Sequence, residues 1–342
     1  MDPLRVAVIG CGFWSQFQIP AWLELPDVEC TAVCDVEPDR AKSIADLFHV
    51  PKHFRDPGEL FRIAHPDVVD VITAPETHRD LVEQAARQGI PVICQKPLAP
   101  DLKTAQEMVA ICSKAGVPLF VHENWRWQRP IRQIKRILNS GLIGRPFRAQ
   151  VDFSSSFPVF DNQPSLREVE HFILCDIGSH VLDVIRFLFG EADWLISQVH
   201  RINPHIRGED VATILLRMVN GMTVTCTLSY ASRLARERFP ETFAVIEADR
   251  GSIELAPDFW IRVTDEEGTK SRRYPPRNYS WADPNYTLIH SSIVDCHRNL
   301  VDGLLGKSNA ETTGADNLRT LQEVFGAYES ARLGQIFNIE PL

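Results

Sequence analysis

The chain opens with an alternation of short apolar runs and helix-compatible segments. Residues 6–9 (Val-Ala-Val-Ile) form a β-branched run, and 16–25 suits a helix. Residues 29–34 predict a second strand, 38–48 a helix opened by proline, and 56–64 a shorter helix. A strand at 68–73, a helix at 79–88 stopped by Gly89, and a strand at 91–94 follow. A helix at 101–115, with Asp101 at its N-cap and Gly116 past its end, leads to a last strand at 118–122. Strands without polar alternation, each followed by a helix, predict a doubly wound parallel sheet of the Rossmann kind.

The pattern then changes. A helix at 131–139 ends at Gly141, with Arg132, Lys135 and Arg136 on its polar side, and a long helix at 176–189 ends at Gly190. From Trp194 to Tyr274 the text alternates in strands. Asn220-Gly221 is a strong hairpin signal between 214–219 and 222–229, and Arg250-Gly251 and Glu267-Gly268 mark further turns. Helices at 288–305 and 315–333 close the chain. This predicts an α/β domain over 1–123 and an α+β domain over 124–342 built on a large, mostly antiparallel sheet. Such a sheet has a second face to cover. Val224, Cys226 and Leu228 are expected to supply it, giving a homodimer or homotetramer through the sheet.

Composition narrows the class. A chain of 342 residues exceeds one ordinary core, and 44% hydrophobic with 24% charged residues is ordinary for a globular enzyme. A net charge of −9 without basic runs argues against nucleic acid, and no apolar segment approaches a membrane span. The chain enters a strand almost at once, so no leader is expected. None of the eight cysteines forms a Cys-x-x-Cys pair, which favours buried thiols in a reducing cytoplasm and no metal site.

Candidate chemistry starts at Gly10-Cys11-Gly12-Phe13-Trp14-Ser15, between the first strand and the first helix. Gly10 suits a sharp turn, Gly12 lets backbone approach a pyrophosphate, and Ser15 is small enough for the third position. Asp35 ends the second strand twenty-five residues after Gly10, where an acidic side chain meets the adenosine ribose. No arginine follows before Arg40, so NAD is favoured over NADP. Lys96 stands just past a strand, where ligands of such sheets bind. Asp176 and His180, spaced i, i+4 on the predicted long helix, would share a face, and a neutral imidazole oriented by a carboxylate is a natural base near pH 7. Taken singly, Asp35 is a turn or cap residue, Lys96 a solvated lysine, and Asp176 and His180 a cap and a core side chain.

Together these residues resemble the Gfo/Idh/MocA oxidoreductases over the whole chain. The matching text is Gly10-Cys11-Gly12-Phe13-Trp14, Asp35, Gln95-Lys96-Pro97, His122-Glu123-Asn124-Trp125-Arg126, Gly141-Leu142-Ile143-Gly144 and Asp176 to His180. The resemblance implies that Lys96 and His180 are catalytic and that Asp176 helps bind and orient substrate and base. His180 would take a hydroxyl proton of a sugar or polyol, hydride would pass to C4 of NAD, and Lys96 would polarise the substrate oxygen. Asn124, Arg126 and Arg167 are candidates for the remaining hydroxyls. Phe13, Trp14, Arg40, Thr73, Pro75, His78, Gln95 and Lys96 join Gly10, Gly12 and Asp35 as cofactor candidates. Ser15 departs from the family's third small residue, and Gln95 from the glutamate of its Glu-Lys-Pro motif. A narrower likeness to the D-apiose dehydrogenases of that family runs through 95–100, 122–124, Gly208-Glu209-Asp210-Val211-Ala212-Thr213, Ser229-Tyr230 and Pro240-Glu241-Thr242. Two other readings stay open: a glycosidase that uses bound NAD for transient oxidation, and a non-catalytic sensor of dinucleotide and sugar.

Overall fold

The computed structural model describes residues 2–340 and divides into two compact units. The first unit holds the chain through Glu123 with Ser280–Ala282 and Ile293–Leu318. The second holds Asn124–Tyr279, Asp283–Ser292 and the chain from Arg319.

In the first unit β1 (Leu4–Ile9), β2 (Val28–Cys34), β3 (His53–Phe54), β4 (Val68–Val71), β5 (Val92–Gln95) and β6 (Leu119–His122) form a parallel sheet in the order β3-β2-β1-β4-β5-β6. This is the order of a dinucleotide-binding doubly wound sheet. Val6, Ala7, Val8, Val69, Val92 and Ile93 are fully buried, as strands covered on both faces must be. The crossovers are α1 (Ser15–Leu23), α2 (Pro38–Phe48), α3 (Pro57–Ala64), α4 (Pro75–Arg87) and α5 (Leu102–Ala115). Asp56 and Asp101 cap α3 and α5, accepting from the amides of Glu59 at 2.9 Å and Thr104 at 2.8 Å. Helix α4 begins at Pro75 rather than at 79. Proline suits the first helical position, so the expected loop is the helix's first turn.

The assignment of 124–342 in one piece to the second domain is corrected by Ile293–Leu318. His297 lies flat on Trp22, with ring centroids 3.6 Å apart. Arg298 pairs with Asp27 at 2.7 Å, and the Thr312 carbonyl accepts from the Val121 amide at 2.8 Å. Helical periodicity announces an apolar face but not which core it covers.

The second unit contains α6 (Arg129–Ser140), β7 (Pro146–Ser154), α7 (Val159–Asn162), α8 (Ser179–Phe189), β8 (Ala192–His200), β9 (Val211–Met218), β10 (Thr223–Ser229), β11 (Phe243–Ala248), β12 (Gly251–Ala256), β13 (Trp260–Asp265) and β14 (Gly268–Arg273). The division between the units falls within α9 (Thr287–Leu304) and α10 (Gly314–Leu333), and β15 (Phe337–Asn338) follows. The nine strands run β14-β13-β12-β11-β7-β10-β9-β8-β15, antiparallel except where β7 meets β10. Strand β7, outside the expected strands, carries its own signal: buried Ala149, Val151 and Phe153 alternate with Arg148, Gln150 and Asp152. The β9–β10 turn forms at Asn220-Gly221, where Gly221 has φ +89° and the Asn220 side chain accepts from the Met222 amide at 3.0 Å.

Val224, Cys226 and Leu228 do not supply a second apolar face. They point into the core with Val151, Phe153, Val181 and Ile185, and the other side of β10 carries Thr223, Thr225, Thr227 and Ser229. A period of two gives one strand one apolar face.

Glu323 lies in the second unit, 1% exposed, and burial pushes its carboxyl up to about 8 from the ordinary 4.5. A folded state that holds this proton beyond the pH at which the unfolded chain releases it loses stability as pH rises from 4.5 to about 8. Glu323→Gln should therefore raise the melting temperature by a few degrees above pH 8 and change it little below pH 4.5. Thermal melts at the two extremes check this; equal shifts at both would contradict it.

Candidate active site

The first unit assembles its candidate residues at the carboxyl ends of its strands. Gly10 follows β1 with φ +103°, and a Cβ there would stand 2.7 Å from the Ile72 carbonyl carbon and 3.0 Å from Thr73 Cγ2. Only glycine fits. Beyond Gly12 nothing lies within 4 Å of the corresponding position, so the backbone there borders open space. Ser15 is buried and donates its hydroxyl to the Gly12 carbonyl at 2.6 Å, which accounts for serine at this third position. Phe13, Trp14 and Phe17 pack edge-on, with centroids 4.9–5.4 Å apart.

Asp35, 7% exposed, accepts from the Cys11 amide at 2.8 Å and the Glu37 amide at 2.9 Å, tying the end of β2 to the glycine loop. Each carboxylate oxygen keeps a lone pair for a ribose hydroxyl. Arg40 stands 3.7 Å from the same carboxylate and is exposed. These residues fit a dinucleotide: an open glycine turn at a helix start, with a carboxylate fixed beside it. NAD should bind at least tenfold tighter than NADP, a gap of about 1.4 kcal/mol, because Asp35 repels a 2′-phosphate. Titration of both cofactors checks this, and equal affinities would overturn the role of Asp35.

Thr73 follows β4 and accepts a hydrogen bond from the Thr77 hydroxyl at 2.7 Å. Gln95 ends β5, its side-chain oxygen accepting from the Lys96 amide at 2.8 Å, and Lys96 is half-buried. His78 departs from the expectation of a cofactor contact. It is fully buried, with its ring nitrogens 3.0 Å from the carbonyls of Leu98 and Thr73, and burial pushes its titration down. Its spacing on α4 turns it inward, where it braces the loop after Lys96.

In the second unit, Asp176 and His180 do not share one α-helix. Leu174–Gly178 is a π-helical turn, and α8 begins at Ser179. Such turns insert an extra residue and concentrate at functional sites. His180 is 5% exposed and lies parallel to Trp125, with centroids 4.8 Å apart and planes 4° apart. Tyr230 donates its hydroxyl to Asp176 Oδ2 at 3.3 Å and stacks on Phe172. Burial, then the Asp176 charge, pushes its phenol well above the ordinary value, so it remains a donor. The imidazole is thus held by a ring face and the carboxylate by a phenol.

Asn124 is 4% exposed and donates to the Ser292 hydroxyl at 2.7 Å. Arg126 also departs from the expectation. Its guanidinium is buried and forks onto Asp183, Nε to Oδ2 at 2.7 Å, as a structural ion pair. Arg167 is half-buried, 3.8 Å from Asp161 and over the Phe160 ring.

Comparison with known proteins identifies the family. The model described as "Oxidoreductase family, NAD-binding Rossmann fold" matches residues 4–123, and "GFO/IDH/MocA C-terminal domain" matches 131–254. The chain belongs to the Gfo/Idh/MocA oxidoreductase family. A D-apiose dehydrogenase of Rhizobium rhizogenes is 42% identical over 99% of this chain and 98% of that protein. Another, from Paraburkholderia graminis, is 40% identical over 98% and 90%. The crystal structure of an oxidoreductase from Agrobacterium radiobacter in complex with NAD+, L-tartaric acid and magnesium superposes with a TM-score of 0.97 at 41% identity, covering 99% of both chains.

As a member of this family, the chain is an NAD-dependent oxidoreductase with its cofactor domain in the first unit. Among the described residues no group of three or more potential ligands could hold a metal ion, and no helix is long and apolar enough to cross a membrane. Trp125 lies in a motif of the family likeness, and Glu209 and Tyr230 in motifs of the narrower one, yet no local pattern assigns them a role. Only the fold brings them to the Asp176 turn.

Proposed function

We propose that the protein oxidises a hydroxyl of D-apiose or a closely related sugar with NAD as the hydride acceptor. The observation that carries this reading is the Asp176–His180 pair, its imidazole set face-on against Trp125 and its carboxylate engaged by Tyr230. The full-length likeness to two D-apiose dehydrogenases supports the choice of sugar.

His180 takes the hydroxyl proton in its neutral form, and Asp176 orients the imidazole and stabilises its charged form. Lys96 donates a hydrogen bond to the substrate oxygen, and Asn124 and Arg167 recognise other hydroxyls. Bound NAD supplies the hydride acceptor. Leu215, Val245 and Trp260, each more than a third exposed on the outer side of the nine-stranded sheet, support a homo-oligomer through that face. Light scattering at only the 38.7 kDa chain mass would refute it.

A panel of pentoses, hexoses and inositols followed by NADH absorbance tests the activity. D-apiose should give the highest kcat/KM. NADH formation with no sugar of the panel would overturn the proposal, and release of free sugar from a glycoside without net NADH would favour a glycosidase.

A further inference from the structure

Glu209 precedes β9, is 7% exposed, and is not part of the catalytic set above. Its carboxylate gathers three donors: the amides of Phe172 at 3.2 Å and Leu174 at 3.1 Å, and the Tyr328 hydroxyl at 2.6 Å. Its own carbonyl accepts from the Ile173 amide at 3.1 Å. All three amides that lead into the π-turn therefore end on this one residue.

Its neighbours complete the grip. A Cβ on Gly208 would stand 2.9 Å from the carbonyls of Val169 and Glu170, so only glycine lets the two segments lie this close. The Asp210 carboxylate accepts from the amides of Ile202 at 2.7 Å and Asn203 at 2.9 Å, fixing the loop that carries Glu209.

The first amides of a helix have no acceptor within it, and a π-turn is a rare, weakly held geometry. The rotational setting of Leu174–Gly178, and with it the direction of Asp176 and His180, thus depends on what fixes its start. A carboxylate makes shorter and roughly twice stronger hydrogen bonds to amides than a neutral acceptor. We infer that Glu209 is a positioning residue for the reaction, acting through the 172–174 backbone to hold Asp176 and His180 in working register. This inference rests on the reading of those two side chains as the base and its orienting group.

The test uses Glu209→Gln and Tyr328→Phe in the full chain. Glu209→Gln keeps the volume but loses the charge and one acceptor oxygen. It should lower kcat about 10- to 100-fold, with a smaller change in sugar KM and unchanged NAD affinity. Its kcat–pH profile should also move to lower pH, because His180 loses the support of Asp176. In a His180→Ala background Glu209→Gln should cost nothing further, since its effect passes through the base. A folded Glu209→Gln with parental kcat and pH profile overturns the inference, and so does a loss that adds in full to that of His180→Ala. Tyr328→Phe keeps the carboxylate and both amides and should lower kcat only a few-fold with the same direction of pH shift. It carries the test should Glu209→Gln not fold, and a parental profile would then overturn the inference. Parental turnover in His180→Ala is a different result: it refutes the base itself.

Discussion

His180→Ala is expected to lower kcat by about 100- to 10,000-fold, the usual scale for loss of a general base, with NAD affinity unchanged. The side chain lies in the second unit, stacked on Trp125, whereas the glycine turn and Asp35 belong to the first. Cofactor titration and turnover should therefore separate in this variant. In the parent, oxidation should quicken with rising pH as the imidazole gives up its proton. Asp176→Asn should cost less, because the amide oxygen still accepts from Tyr230, and should move the profile to lower pH by removing the charge that stabilises imidazolium. Thermal melts of each variant separate lost chemistry from lost fold. A folded His180→Ala that binds NAD and turns over within a few-fold of the parent would place the base elsewhere.

Gly10→Ala should weaken NAD binding by at least about 100-fold, or about 2.8 kcal/mol, and lower the melting temperature as well. With φ at +103° and the Ile72 carbonyl behind it, an added methyl must push the turn out of shape. Gly12→Ala is the contrast. Nothing lies within 4 Å of its added methyl, so the melting temperature should hold while NAD affinity falls, because that space is the approach to the backbone. Calorimetric titration and melts on both variants check the pair. Parental NAD affinity in Gly10→Ala would contradict the cofactor site.

The parallel sheet is legible in the sequence because its strands are buried on both faces and its glycines and capping residues are local signals. Ser15, Asp56, Asp101 and Gly116 each act on their own few residues. What escapes is set by partners far along the chain. Cys226 alternates as any half-buried strand residue does, and only the placement of α8 decides that it faces the core. The inward turns of His78 and Arg126 depend on the Leu98 carbonyl and on Asp183, which no local pattern announces. Periodicity also counts residues without seeing hydrogen bonds, so a continuous helix over 176–189 reads the same as a π-turn followed by α8. Asp176 and His180 are legible as a pair; Glu209, Trp125 and Tyr230, which set their geometry, come from three other segments.

The most direct measurement follows hydride itself. The sugar selected by the panel, carrying deuterium on the carbon to be oxidised, is incubated with the protein and NAD, and the nicotinamide product is read by mass spectrometry. Each reduced cofactor should carry one deuterium, the rate should fall wherever the chemical step limits turnover, and His180→Ala should lose the labelled product. Consumption of the sugar with unlabelled cofactor, or with the label released to water, would contradict it.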